Sequence, residues 1–172
     1  MQSDNVKKIL FVCTGNTCRS PMAEAFMNSA FAAEPVLKES FLAVSAGISA
    51  YPGDRASAHS VNVMLMEWNI DVSGHSAALL DEATIEDAFL VLAMTHSQKN
   101  YILAEYPGAS GKTFTLKEFV RMRQQGNMYG SHSAPDITDP FGKPVHIYSL
   151  CAIEIKEAVD NLLEILKWGK GT

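Results

Sequence analysis

Apolar residues along the 172-residue chain fall into alternating strand-like and helix-like stretches. Ile9-Leu10-Phe11-Val12 is a short unbroken apolar run of strand composition. Ser20 as N-cap, Pro21 in the first turn and the helix formers Met22-Ala23-Glu24-Ala25-Phe26 predict a helix from Pro21 to about Ala33. Phe41–Ser45 reads as a second strand. From Ser57 to Trp68 the spacing puts Val61, Met64, Leu65 and Trp68 on one helical face, and Phe89–Met94 is a nearly unbroken buried strand of the kind parallel sheets use. Ser97–Glu105 follows as a short helix, Lys112–Leu116 as the last strand and Lys117–Arg123 as a helical turn. Gln124–Thr138, polar and carrying Gly126 and Gly130, predicts a loop long enough to be functional or mobile. Val145 to Trp168 closes the chain as an amphipathic helix with Ile147, Leu150, Cys151, Ile155, Ala158, Leu162 and Ile165 facing inward.

Strands that alternate with helices predict an α/β fold, a parallel sheet covered on both faces, with its site beyond the carboxyl ends of the strands. No repeat, low-complexity tract or linker interrupts the pattern, so residues 1–172 read as one domain. A hydrophobic content of 47% agrees with a core that needs neither metal nor disulfide staples. The formal net charge of -5 and the lack of a long basic run argue against a nucleic-acid or membrane partner. The apolar stretch ended by Cys13 is too brief for a signal-peptide core or a membrane span. Thiolate chemistry from the three cysteines, two of them in one loop, would need a reducing compartment, and the cytoplasm is the expected location.

The stretch Cys13-Thr14-Gly15-Asn16-Thr17-Cys18-Arg19-Ser20 carries the chemistry. It lies between the first strand and the first helix, where unpaired backbone N–H groups and the positive end of the helix dipole converge on an anion. Such a loop favours phosphate and a thiolate alike. Thiolate attack on phosphorus would pass through a phosphocysteine and divide one displacement into two easier steps, without a metal or other cofactor. Arg19 offers a rigid fork that can hold two phosphoryl oxygens at once, which a lysine could not. The competing reading of Cys13 is an inert buried thiol. His59, His96, His132 and His146 show no metal-ligand spacing with any cysteine pair.

The string VCTGNTCRSPMAEA resembles the signature of the low-molecular-weight protein tyrosine phosphatases, most closely the bacterial branch known as protein arginine phosphatases. The resemblance extends through Val44-Ser45-Ala46-Gly47, Gly74-His75-Ser76, Leu92-Ala93-Met94-Thr95-His96 and the late loop Asp136-Ile137-Thr138-Asp139-Pro140-Phe141-Gly142. It implies a four-stranded parallel sheet flanked by helices and a metal-independent phosphatase of phosphorylated proteins. Asp139 then matches the general acid that protonates the leaving group and later activates water, with Asp136 as the fallback. Ser20, Asn16, Ser45 and His75 match a hydrogen-bond network that braces the loop. Cys18 matches a cysteine that can form a disulfide with the nucleophile and shelter it from irreversible oxidation. Thr17 and Phe141 bear on the substrate: tyrosine-specific members usually carry Ile or Leu at the first position and tend to follow Asp-Pro with Tyr or Trp. Threonine there implies phosphoarginine.

Phosphotyrosine is the near alternative. A thioredoxin-coupled arsenate reductase would need two further cysteines close together, and only Cys151 follows Cys18. That residue reads as core packing from the last helix. A catalytically silent phosphate-binding module is the remaining alternative, separable by turnover of an aryl phosphate.

Overall fold

The computed structural model describes residues 6–125 and 135–169. Four parallel strands, β1 (Lys7–Cys13), β2 (Phe41–Gly47), β3 (Ala88–Ala93) and β4 (Thr113–Thr115), lie in the order β2-β1-β3-β4. The helices are α1 (Arg19–Ala32), α2 (Pro35–Lys38), α3 (Ala58–Trp68), α4 (Glu82–Asp87), α5 (His96–Glu105), α6 (Leu116–Gln124) and α7 (Val145–Trp168). Because β1 is central and covered on both faces, every residue from Ile9 to Val12 is fully buried, which is why the run does not alternate with polar residues. Ile9, Phe11 and Cys13 belong to the core shared with α1, α3, α6 and α7, while Leu10 and Val12 face α4 and α5 through Ile85 and Ile102. The expected α/β architecture and its phosphate-loop position after β1 are both present.

Several local expectations are corrected. The first helix begins at Arg19, two residues before Pro21, and Ser20 does not cap it because its hydroxyl is committed to Cys13 and Asn16. Two short helices were not anticipated: α2, and α4, which Asp81 caps by accepting the Thr84 N–H. On α3 the buried pair is Val63 and Met64, whereas Leu65 is exposed, since the face turned to the core is narrower than the apolar spacing suggested. Phe89 stands exposed on β3 under the ammonium of Lys7. Leu116 opens α6 rather than ending a strand, because Thr115 and Glu118 form a reciprocal capping box there.

On α7 Leu150 is 58% exposed, and Ile147 and Ile165 are only half-buried. The inward stripe instead runs through Tyr148, Cys151, Ala152, Ile155, Ala158, Val159, Leu162 and Leu166. α1 sits between this helix and the strands β1 and β2, with Phe26 and Met27 fully buried and Phe26 meeting Trp68 edge-on at 5.1 Å. Of the expected loop Gln124–Thr138, Gln124 ends α6, residues 126–134 with Gly126 and Gly130 lie outside the described residues, and Ile137 is buried where its N–H bonds the Met94 carbonyl at 2.9 Å. No helix of the described residues is long and apolar enough to cross a membrane.

Candidate active site

Cys13 is the last residue of β1 and Arg19 the first of α1, so residues 14–18 must turn the chain back within a few ångströms. The scaffold holds this loop by its carbonyls. Ser49 N–H donates to Thr14 O at 2.9 Å, Ser57 N–H to Thr17 O at 2.8 Å, and His75 Nε2 to Asn16 O at 2.8 Å. With those carbonyls turned outward, the N–H edge of the same peptides is left for the interior, the concave arrangement that binds anions. The Asn16 N–H already points at Cys13 Sγ, 3.3 Å away.

Asn16 organises the rest. Its φ of 55° places it in the left-handed region, where asparagine is among the few residues tolerated without strain. The Ala78 N–H donates to its Oδ1 at 2.9 Å, which orients the amide so that Nδ2 donates to Ser20 Oγ at 2.8 Å and Ser45 Oγ at 2.9 Å. Ser45 passes its own proton to Glu24 Oε2. Ser20 Oγ, accepting from the amide, has its proton free for Cys13 Sγ at 3.0 Å. Every donor in the chain thus runs toward either the cysteine sulfur or the Glu24 carboxylate. Gly47 closes the back of the loop: a Cβ there would lie 2.6 Å from Thr14 O and 2.9 Å from Asn16 N, so only glycine admits the loop this close to β2.

Arg19 is almost wholly buried, with Nη1 donating to Ile137 O at 3.4 Å and Nη2 3.1 Å from Asp139 Oδ2. Asp139 itself is half-exposed and is held from the other side by the Phe141 N–H, which donates to its Oδ1 at 3.1 Å. Together Cys13, Thr14, Gly15, Thr17, Cys18, Arg19, Asp139 and Phe141 line a cavity of about 210 Å³. Phe141 forms its exposed rim, at 72% accessibility.

The residues expected at the site therefore fall into two layers: those eight around the cavity, and Asn16, Ser20, Ser45 and His75 behind it. Asp136 stands apart. It accepts from the His96 backbone N–H at 2.8 Å and meets His96 Nδ1 at 2.7 Å, lining a neighbouring cleft that excludes Cys13. Cys18 Sγ donates to Ser57 Oγ at 3.5 Å and lies 3.7 Å from Tyr148 OH; burial and the Cys18 neighbour raise the pKa of that phenol. Cys151 is fully buried and donates to Thr138 O at 3.3 Å, and burial pushes its thiol up to about 12. All three cysteines are free.

Glu24, Gln98 and the Ile137 carbonyl were missed from sequence. Glu24 follows Ser20 by four residues, so helical spacing alone stacks it behind the loop, and that signal was available. Gln98, whose Nε2 donates to Thr14 Oγ1 at 3.1 Å, and Ile137 arrive from distant elements and leave no local mark.

Residues 8–170 match the family described as low molecular weight phosphotyrosine protein phosphatase. A protein-arginine-phosphatase of Bacillus subtilis is 41% identical over 159 residues, which cover 92% of this chain and 96% of that protein. The structure of the YwlE arginine phosphatase from Geobacillus stearothermophilus is 39% identical with a TM-score of 0.81, each chain being covered to 95%. A cysteine-to-serine mutant of YwlE, solved with a phosphorylated active-site serine, is 39% identical with a TM-score of 0.80, covering 93% of this chain and 95% of that one.

Proposed function

The chain belongs to the low-molecular-weight phosphotyrosine protein phosphatase family and is a cysteine-dependent phosphatase, and from that premise we propose that it hydrolyses phosphoarginine in proteins, with Cys13, Arg19 and Asp139 as its catalytic residues. One observation carries the assignment of roles: the Cys13 sulfur, the Arg19 guanidinium and the Asp139 carboxylate share one small cavity whose other walls are the loop itself. At about 210 Å³ it has room for a phosphorylated side-chain end and little more, against several hundred for a site that encloses a whole small molecule.

In the first step the Cys13 thiolate attacks phosphorus in line with the leaving nitrogen. The loop N–H groups of Thr14 to Cys18 and the Arg19 fork hold the equatorial oxygens as charge spreads over them. A phosphoryl group competes with Asp139 for the Arg19 guanidinium, and this frees the carboxyl to deliver its proton to the leaving guanidine as the P–N bond breaks. In the second step Asp139 takes a proton from water, water displaces sulfur from phosphorus, and orthophosphate and the thiolate are regenerated. Ser20, oriented by Asn16, Ser45 and His75, supports the thiolate in both steps.

The preference for arginine rests on Thr17, a cavity-lining residue that carries a hydroxyl where an isoleucine or leucine would be wholly apolar, and on the names of relatives near 40% identity. Phosphotyrosine is the second reading. The family description favours it, and exposed Phe141 on the rim offers a ring surface. Kinetics on paired phosphoarginine and phosphotyrosine peptides separate the two. Thr17→Ile is expected to lower the ratio of specificity constants, arginine over tyrosine, by about tenfold, the cost of leaving one polar group unpaired. A ratio that stays unchanged in the variant, with phosphate affinity intact, removes Thr17 as the reader of the substrate. Cys151, buried and bonded to a carbonyl, is poorly placed to relay a disulfide as an arsenate reductase requires.

Three free thiols suit a reducing compartment, and we place the enzyme in the cytoplasm. Under peroxide, Cys18 is proposed to capture oxidised Cys13 as a disulfide. Inactivation should then be reversed by thiol reductant, and peptide mass mapping should find Cys13 joined to Cys18. Accumulation of sulfinic or sulfonic Cys13 without that disulfide removes the protective role.

A further inference from the structure

A second, larger cavity of about 720 Å³ opens at the other end of the sheet. It lies beside Lys7, the first residue of the strand that ends in Cys13, so some 20 Å of β1 separates the two sites at about 3.3 Å per residue. Phe41 and Phe119 form its buried walls, and Phe89 and Trp168 stand at its mouth, Trp168 with 80% of its surface accessible. Its charges are unusual for a chain of net charge -5. Lys7 Nζ lies 4.5 Å from the Phe89 ring centre, and the Arg123 guanidinium 5.2 Å from that of Phe119. Lys112 Nζ donates to the Glu86 and Ala88 carbonyls at 3.0 and 2.7 Å, which anchors the ammonium without neutralising it. Among the described residues none of these three cations is paired with a carboxylate. Glu164, the acid in the lining, sits 3.2 Å from Lys167.

We propose that this groove binds a small planar aromatic anion. The volume matches a small-molecule site, the exposed rings offer stacking surface, and the uncompensated cations at the rim select a carboxylate or similar group over a neutral one. Cations already resting on ring faces lose little on turning toward such a charge, because an exposed cation–π contact is weak.

The test uses the full chain labelled with nitrogen-15 and follows the indole N–H resonances of its two tryptophans. Trp168 reports on the groove, and Trp68, packed on Phe26, serves as the internal control. 1-Naphthoate should shift the Trp168 resonance saturably and leave that of Trp68 in place. The neutral isostere 1-naphthalenemethanol should bind about tenfold more weakly or worse. Lys7→Gln combined with Arg123→Gln should weaken naphthoate by about tenfold, leave the alcohol unchanged and leave aryl phosphate turnover at its normal rate. Equal affinity for acid and alcohol overturns the proposal, as does unchanged naphthoate affinity in the double variant. Loss of the shift on saturation with inorganic phosphate would place the probe at Cys13 instead. A dimer in sedimentation velocity that Trp168→Ala dissolves would assign the face to a second copy of the chain, and would equally overturn it.

Discussion

Replacing Cys13 with serine is expected to lower turnover of any phosphorylated substrate by at least about four orders of magnitude while phosphate affinity is kept. The hydroxyl lacks the thiolate's nucleophilicity at neutral pH, yet the Arg19 fork and the loop amides that bind phosphate are untouched. The asymmetry between the two steps gives a second signature. Serine is a far poorer leaving group than cysteine, so a phosphoryl group that does transfer to Ser at this position should stay there. Incubation with substrate followed by intact-mass measurement should show one phosphoryl group per chain. Appreciable steady-state turnover in Cys13→Ser would remove the covalent mechanism.

The second large effect is expected at Asp139. Asp139→Asn should slow phosphates with poor leaving groups by about 10²–10⁴, and those with good leaving groups much less, because only the former need a proton as the bond breaks. A plot of rate against leaving-group pKa should therefore steepen in the variant. The substitution also removes a charge from beside the buried Arg19 guanidinium, 3.1 Å away, so inorganic phosphate should bind at least as tightly. Equal losses across the leaving-group series would reassign the acid. Asp136 is a poor substitute on geometry, since its Oδ1 already serves the backbone N–H and Nδ1 of His96 and the residue does not line the cavity of Cys13.

Strands and the catalytic loop were legible in the sequence because each is written contiguously. Ile9–Val12 announces a strand buried on both sides, and the Cys13–Ser20 stretch carries a thiol, loop amides and a guanidinium within eight residues. The faces of the long helices were less legible. Leu150 fits the α7 stripe by hydropathy, yet the stripe follows Tyr148, Ala152 and Val159, because α1, α3 and α6 together set which arc of α7 is covered. Small residues such as Ala152 give no hydropathy signal strong enough to reveal that choice. The cap reading of Ser20 fails for a related reason, since a serine before a proline has the composition of a cap; the resemblance already matches it to the loop network, and there its hydroxyl lies, beside Cys13 and Asn16. Asp139 reached the site on the strength of a motif, whereas Gln98 and the Ile137 carbonyl depend on chain segments brought together by the sheet order.

The packing of α1 against α7 ties the helix behind the phosphate loop to a helix far later in the sequence. The helix that starts at Arg19 lies under residues as late as Leu162 and Leu166 in the same core. During translation the phosphate loop emerges early, but α1 behind it lacks the cover of α7 until that helix too has left the ribosome. A stalled or truncated chain would thus carry every residue of the phosphate loop and still lack the packing that shapes it. Phosphatase activity should therefore be absent from nascent chains in which α7 has not yet docked on α1, which an aryl phosphate assay on stalled chains of graded length would check.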